Sequence, residues 1–175
     1  MDMDARPGNQ QSDSNRGRGT GLPAGHRLSG RVLVVDDNRV HRMIATIMMQ
    51  GWGIEVVQAF DGLEAVRRVT QCPSADLPNL VLMDLRMPVM DGYAATEHIR
   101  AWEKSASGPD QGLRLPIIAL TADAFEQDRQ RCLSVGMDSF VTKPINKKMM
   151  YTALADWLPS EASTPLVAQK PSFSR

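Results

Sequence analysis

Five short apolar runs punctuate the chain between Arg31 and Leu158: Val32-Leu33-Val34-Val35, Ile54-Glu55-Val56-Val57, Leu80-Val81-Leu82-Met83, Ile117-Ile118-Ala119-Leu120 and Phe140-Val141. Unbroken runs such as the first, third and fourth suit strands of a parallel sheet covered on both faces, because neither side of such a strand meets water. The second, interrupted by Glu55, suits an edge. Between the runs the apolar spacing changes to the helical period. Val40, Ile44, Ile47 and Met48 follow i, i+4, i+7, i+8 and predict a first helix whose apolar face covers the sheet. Ala95, Ile99 and Trp102 repeat the first three positions, and Met150, Leu154, Trp157 and Leu158 repeat the pattern after Asn146. Asp61-Gly62-Leu63-Glu64 reads as a capping box opening a second helix, and Ala124 to Val135 reads as a helix closed by Gly136. Lys104 to Leu115, KSASGPDQGLRL, reads as a surface loop. Strands alternating with helices predict a doubly wound α/β domain, a five-stranded parallel sheet with five helices.

Outside residues 31–158 the pattern stops. The first 30 residues hold Gly8, Gly17, Gly19, Gly21, Gly25 and Gly30 and almost no large apolar residue before Leu22, so they cannot bury enough surface to offset their ordering entropy. The stretch from Pro159, PSEASTPLVAQKPSFSR, is rich in Pro and Ser. Residues 1–30 and 159–175 are therefore expected to be disordered tails, with no output domain after Leu158. Charge is balanced, Lys+Arg 20 against Asp+Glu 20, so the basic field that neutralises phosphates is missing and direct nucleic-acid binding is not expected. Cys72 and Cys132 are too few for a disulfide framework and fit no zinc spacing, which points to a reducing compartment. No apolar run approaches the roughly 20 residues that span a bilayer, and MDMDARPGNQ lacks the apolar core of a signal peptide. A soluble, cytoplasmic protein is expected.

In an open parallel sheet, ligands bind at the carboxyl ends of the strands. The first run ends in Asp36-Asp37, the third in Asp84, the fourth in Thr121-Ala122, and the fifth leads to Lys143-Pro144. Three carboxylates converging on one rim repel one another, each pair by roughly 4 kcal/mol at ~4 Å and an effective dielectric of 20. Lys143 can offset part of that charge and a divalent ion the rest. All-oxygen ligands favour Mg²⁺, with Mn²⁺ as the alternative ion. Such a rim, with one carboxylate free as nucleophile, suits phosphoryl transfer and an aspartyl phosphate product.

The motifs VLVVDDN, VLMDLRMPVMDG, IIALTAD and SFVTKPI, in that order and covering essentially residues 31–158, resemble the receiver domain of two-component response regulators, the CheY-like fold. The resemblance implies strand order 2-1-3-4-5. It implies Asp84 as phosphoacceptor, Asp37 binding Mg²⁺ directly, Asp36 largely through water, and the Arg86 backbone carbonyl completing the protein ligands. Thr121 and Lys143 would hold the phosphoryl oxygens, and small Ala122 would leave room for the donor. Lys143-Pro144 resembles the family's cis peptide, and Pro88 and Gly92 would shape the loop after the acceptor. Phe140 falls at the aromatic switch position, where the ring is either a switch following Thr121 or an ordinary core Phe. The implied partners are a histidine kinase or a histidine-phosphotransfer domain, and a homodimer through the fourth helix is compatible. The sequences DLRMPVMDGYAATEHIR and ALTADAF look most like receivers of hybrid sensor kinases, so the chain is either a stand-alone receiver or part of such a kinase.

Several residues stay outside that core. Arg86 and Asp123, two positions after Asp84 and Thr121, either pair across the site and slow hydrolysis of the phosphoryl group or are solvated rim charges. His26, His41 and His98 have no acidic orienting partner in the sequence and are expected to be structural. Met43, Met48, Met49, Met149 and Met150 are core filler for the most part, with an exposed subset on the first helix suited to docking a partner helix. Two other classes share features of the site. A haloacid-dehalogenase-like phosphohydrolase needs an Asp two residues after its nucleophile as general acid, and here that residue is Arg86. A binding-only acidic metal module leaves Thr121 and Lys143 without a role. The expected activity is self-catalysed phosphoryl transfer with slow autodephosphorylation, not enzymatic turnover.

Overall fold

The computed structural model describes residues 27–106, 114–122 and 126–160 of the chain. Strands β1 (Arg31–Val35), β2 (Glu55–Ala59), β3 (Leu80–Asp84), β4 (Ile117–Thr121) and β5 (Ser139–Thr142) alternate with helices α1 (Arg39–Gln50), α2 (Gly62–Thr70), α3 (Gly92–Ala106), α4 (Glu126–Ser134) and α5 (Lys147–Ala155). All strand pairs are parallel and the order is β2-β1-β3-β4-β5, which puts the interrupted second run at an edge. Strand alternation sorts the core into two layers. Leu33, Val35, Val81, Met83, Ile117 and Ala119 face α2, α3 and α4, where they meet Ala65, Val69, Ala95, Ile99 and Cys132. Val32, Val34, Leu80, Leu82, Ile118 and Leu120 face α1 and α5 and meet Ala45, Met49, Met150 and Leu154.

The first helix departs from its predicted face. Val40, Ile44 and Ile47 are exposed by 54%, 43% and 62%, and Met43 beside them by 52%. The buried residues of the helix are Ala45 and Met49, and of the predicted face only Met48 packs against the core, partly buried. Two anchors fix this rotation. Asn38 caps the helix by accepting the Val40 N–H at 2.9 Å, and Arg42 Nη1 donates to the Asp36 and Asp37 carbonyls at 2.7 and 3.2 Å. With Arg42 turned toward the β1 end, the apolar stripe faces outward, and it reads as helix-period hydrophobicity whichever way it points.

Smaller differences have local causes. In α2 Asp61 accepts the Glu64 N–H at 2.7 Å as a capping box requires, while Glu64 Oε2 returns to the N–H of Phe60, one residue earlier than the motif specifies. Lys104, Ser105 and Ala106 belong to α3 and not to a loop, and Leu115 is buried. The fourth helix, described over Glu126–Ser134, closes on Gly136, whose φ of 97° suits glycine, while its expected start at Ala124 lies outside the described residues. The N–H of Gly136 reaches the Leu133 carbonyl and that of Met137 the Cys132 carbonyl, the paired bonds of a Schellman motif. Trp157, expected on the α5 face, lies beyond the helix and is 40% exposed. Leu28 is buried, donating its N–H to Trp52 and pairing with Ser160, so the packed unit takes in residues on both sides of 31–158. Residues 1–26 and 161–175 of the two expected tails lie outside the described residues. Among the described residues, no helix is long and apolar enough to cross a membrane.

Candidate functional site

The carboxyl ends of β1, β3, β4 and β5 meet on one rim. Asp36 and Asp37 follow β1, Asp84 ends β3, Thr121 ends β4, and Lys143 directly follows β5, ahead of a cis Lys143-Pro144 peptide. Parallel register brings them level: Val35 stands beside Met83, Asp84 beside Leu120, and Thr121 beside Thr142. The Lys143 N–H donates to the Thr121 carbonyl at 2.7 Å, carrying the sheet one step past β5. Lys143 Nζ then donates to Asp36 Oδ2 at 2.8 Å and to Asp84 Oδ2 at 2.7 Å. Asp84 Oδ1 accepts the Arg86 N–H at 3.3 Å. One oxygen from each of Asp36, Asp37 and Asp84 lies within 4.8 Å of the others.

These groups share one ammonium among three carboxylates, which leaves negative charge uncompensated. Burial pushes the Asp84 carboxyl above its ordinary value, and the charge of Asp36 adds to this, against the hydrogen bond and charge of Lys143. For Lys143, burial acts to lower the pKa, but the hydrogen bonds and charges of Asp36 and Asp84 outweigh it and the net direction is up. The ammonium stays charged. An excess of hard oxygen donors around an exposed Asp37 fits a divalent cation such as Mg²⁺, which takes carboxylates and keeps waters.

Around this centre lies a cleft of about 740 Å³, whose walls include Asp84, Arg86, Thr121, Ala122 and Lys143. Thr121 is buried, whereas Ala122 and the Arg86 side chain are exposed. Asp123, expected opposite Arg86, lies outside the described residues. Phe140 is turned outward, 36% exposed, with the Arg129 guanidinium 5.7 Å from its ring centre. At the far end of the cleft, Arg131 stacks on Tyr93 at 3.9 Å, and burial pushes the Tyr93 phenol up to about 12. His41 does have an acidic partner, contrary to expectation: its Nδ1 lies 3.2 Å from Asp36 Oδ2. The signal was present in Asn38, since a helix capped there turns residues 41 and 42 back toward the acidic pair.

The loop after Asp84 is held tightly. The Gly92 N–H donates to the Leu85 carbonyl at 3.1 Å, and a Cβ on Gly92 would stand 2.2 Å from the Asp84 carbonyl oxygen. No other residue fits so close to that backbone. The Met90 N–H closes onto the Pro88 carbonyl at 2.8 Å across Val89, whose φ is 69°. This is a γ-turn with its apex in the left-handed region.

The family model for the response regulator receiver domain matches residues 32–155. The sensor protein GacS of Pseudomonas syringae pv. syringae is 40% identical over 127 residues, which cover 73% of this chain and 13% of that protein. The chain thus spans a small part of the curated relatives it matches. Among solved structures, the receiver domain of a sensor histidine kinase from Pseudomonas aeruginosa PAO1, crystallised with a magnesium ion coordinated in its active-site cleft, is 36% identical with a TM-score of 0.61, covering 74% of this chain and 97% of that one. The receiver domain of a Saccharomyces cerevisiae response regulator, co-crystallised with a histidine phosphotransfer signaling protein, is 29% identical with a TM-score of 0.67, covering 75% and 90%. With its strand order, its rim of acids and these matches in agreement, the chain belongs to the response regulator receiver domain family.

Proposed function

We propose that Asp84 accepts a phosphoryl group from a phosphohistidine on a histidine kinase or histidine-phosphotransfer protein, in a step that needs Mg²⁺. The observation that carries this reading is the Asp84 carboxylate, held by Lys143 Nζ at 2.7 Å and flanked by two further carboxylates at a solvent-open cleft. An Asp84 oxygen attacks phosphorus, the P–N bond to the donor imidazole breaks, and the imidazole leaves with its electron pair. Lys143 and Thr121 receive the transferred oxygens, the first as an ion pair and the second by its hydroxyl. Asp37 and Asp84 directly, Asp36 largely through water and the Arg86 carbonyl would hold Mg²⁺, which supplies charge neutralisation at the phosphoryl group. Ala122 leaves the donor's path clear. The event modifies the protein once and does not turn over a substrate, and the hydrolase alternative lacks an acid where Arg86 stands.

The donor's docking face is supported by α1. Val40, Met43, Ile44 and Ile47 form an exposed apolar stripe beside a groove lined by Ile44, Met48, Pro144, Ile145 and Met150, and His41 and Lys143 line both this groove and the acidic cleft. A partner helix seated there would bring a histidine to the cleft. Readout runs through Phe140: Thr121 moves toward the phosphoryl group, and the outward ring turns into the space released, altering the surface of α4, β5 and α5.

The test is incubation with Mg²⁺ and acetyl phosphate, followed by intact mass, with Asp84→Asn alongside. One added phosphoryl group, labile to hydroxylamine and absent from the variant, is the expected result. Labelling of Asp84→Asn equal to wild type would overturn Asp84 as acceptor.

A further inference from the structure

Asp36 is 1% exposed, and each of its oxygens already has a donor. Oδ1 takes the Asn38 N–H at 2.8 Å; Oδ2 takes Lys143 Nζ at 2.8 Å and lies 3.2 Å from His41 Nδ1. A carboxylate only accepts, so the ring nitrogen that faces it carries the proton and donates. The two donors on Oδ2 are not equivalent. Lys143 also serves Asp84 at 2.7 Å. A phosphoryl group on Asp84 brings three more acceptor oxygens to the same ammonium, and whatever share they take is withdrawn from Asp36. Among the described residues, His41 Nδ1 meets no second acceptor, and its position is set independently by α1. One residue further along the same turn, Arg42 holds the Asp36 and Asp37 carbonyls at 2.7 and 3.2 Å, so the first turns of the helix grip the acidic pair by main chain and side chain together.

We propose that His41 is a positioning residue for the phosphoacceptor site: its Nδ1–H holds the Asp36 carboxylate in the orientation that serves the divalent cation, and keeps it there when Lys143 turns to the phosphoryl group. The proposal rests on the phosphoacceptor reading above. It gives the half-exposed helix residue nearest the cleft a task that neither the apolar stripe nor the core needs.

The experiment is isothermal titration of the full chain with Mg²⁺ at one fixed pH. Wild type is compared with His41→Leu and His41→Phe, which remove the donor, and with His41→Asn, whose amide N–H reaches about as far from the backbone as Nδ1. Thermal melts without metal identify any variant that fails to fold, and the other donor-free variant then decides. Loss of an outer-sphere partner of this kind weakens metal binding by about tenfold or more. The expected result is that loss in Leu and Phe, recovery to within about twofold of wild type in Asn, and the same ranking in the Mg²⁺ concentration needed for half-maximal labelling by acetyl phosphate. Unchanged affinity in the folded donor-free variants would overturn the proposal, as would an Asn variant as weak as Leu. Absence of Mg²⁺ binding by wild type would overturn the phosphoacceptor reading with it, so the two failures are told apart.

Discussion

Arg100 on α3 meets Asp138, just ahead of β5, at 2.8 Å, with the two side chains 9% and 10% exposed. The same guanidinium donates to both oxygens of Glu103 at 2.7 and 2.8 Å, to the Leu115 carbonyl at 2.9 Å and to the Gly136 carbonyl at 2.9 Å. Glu103 in turn accepts the Leu115 N–H at 2.7 Å, and Asp138 the Ile117 N–H at 2.8 Å. One buried cation therefore joins α3 to the entries of β4 and β5, at the end of the sheet opposite the acidic rim. A buried ion pair adds little net stability over apolar packing, yet removal of one partner strands the others. Arg100→Leu is expected to destabilise the fold by about 3–5 kcal/mol. Arg114, which reaches Asp138 at 2.7 Å but is 56% exposed, is expected to cost at most about 1 kcal/mol as Ala. Urea denaturation of both variants measures the contrast, and equal losses would refute it.

That network was invisible in the sequence, where nothing sets Arg100, Glu103 or Asp138 apart from the other charged residues. Periodicity ranks residues by polarity and cannot tell a solvated arginine from one whose guanidinium is buried against two carboxylates and two backbone carbonyls. The same limit reversed the face of α1: apolar spacing is identical for a stripe covering a sheet and for one presented to a partner. What was legible followed from topology. Continuous apolar strands and a broken edge strand predict a parallel sheet, the receiver-domain resemblance implies its strand order, and the strand ends then bring Asp36, Asp37, Asp84, Thr121 and Lys143 to one rim with no contact known in advance. The Asp36 contact of His41 had its one signal in Asn38, whose cap at the start of α1 sets which side of the first turn faces the acidic pair.

Asp84 is expected to make stability depend on pH and on divalent metal. Its carboxyl is raised in the fold by burial and by Asp36, against Lys143. The fold therefore favours the protonated form, and this contribution is complete below the ordinary 3.8 and is lost as pH rises through the higher folded value. Asp84→Asn, neutral throughout, should gain on wild type between about pH 4 and pH 7 in the absence of divalent ions. Mg²⁺ should reverse the order, since at about 100 times its Kd it adds about 2.7 kcal/mol to the protein that binds it. Thermal melts of both proteins, at both ends of that pH range and with or without Mg²⁺, give the four comparisons. A variant that does not gain on wild type with rising pH would show that Lys143 outweighs burial.

Val89 carries a conformational cost that its side chain does not repay. Its φ of 69° is unfavourable for a β-branched residue, and at 81% exposure the isopropyl group buries almost nothing. Residues held in the left-handed region cost of order 1–3 kcal/mol, and Asn tolerates it far better than Val. Val89→Asn is expected to stabilise the protein by about 1 kcal/mol, measured by urea denaturation. A neutral or destabilising result would mean that the turn is not strained.

The outward stripe on α1 separates a protein donor from a small-molecule donor. Ile47 is 62% exposed and lies outside both the acidic cleft and the adjoining groove, so a charge placed there meets water in the free protein. In a complex with a partner helix the same charge would be desolvated against apolar surface without a counter-ion, at a cost of several kcal/mol. Ile47→Glu should therefore slow phosphotransfer from a cognate phosphohistidine protein by about tenfold or more, while labelling by acetyl phosphate stays within about twofold of wild type. The measurement is a time course of each reaction on the two proteins at equal Mg²⁺. Equal slowing with both donors would place the effect on the site itself, and no slowing with either would remove α1 from the donor's docking face.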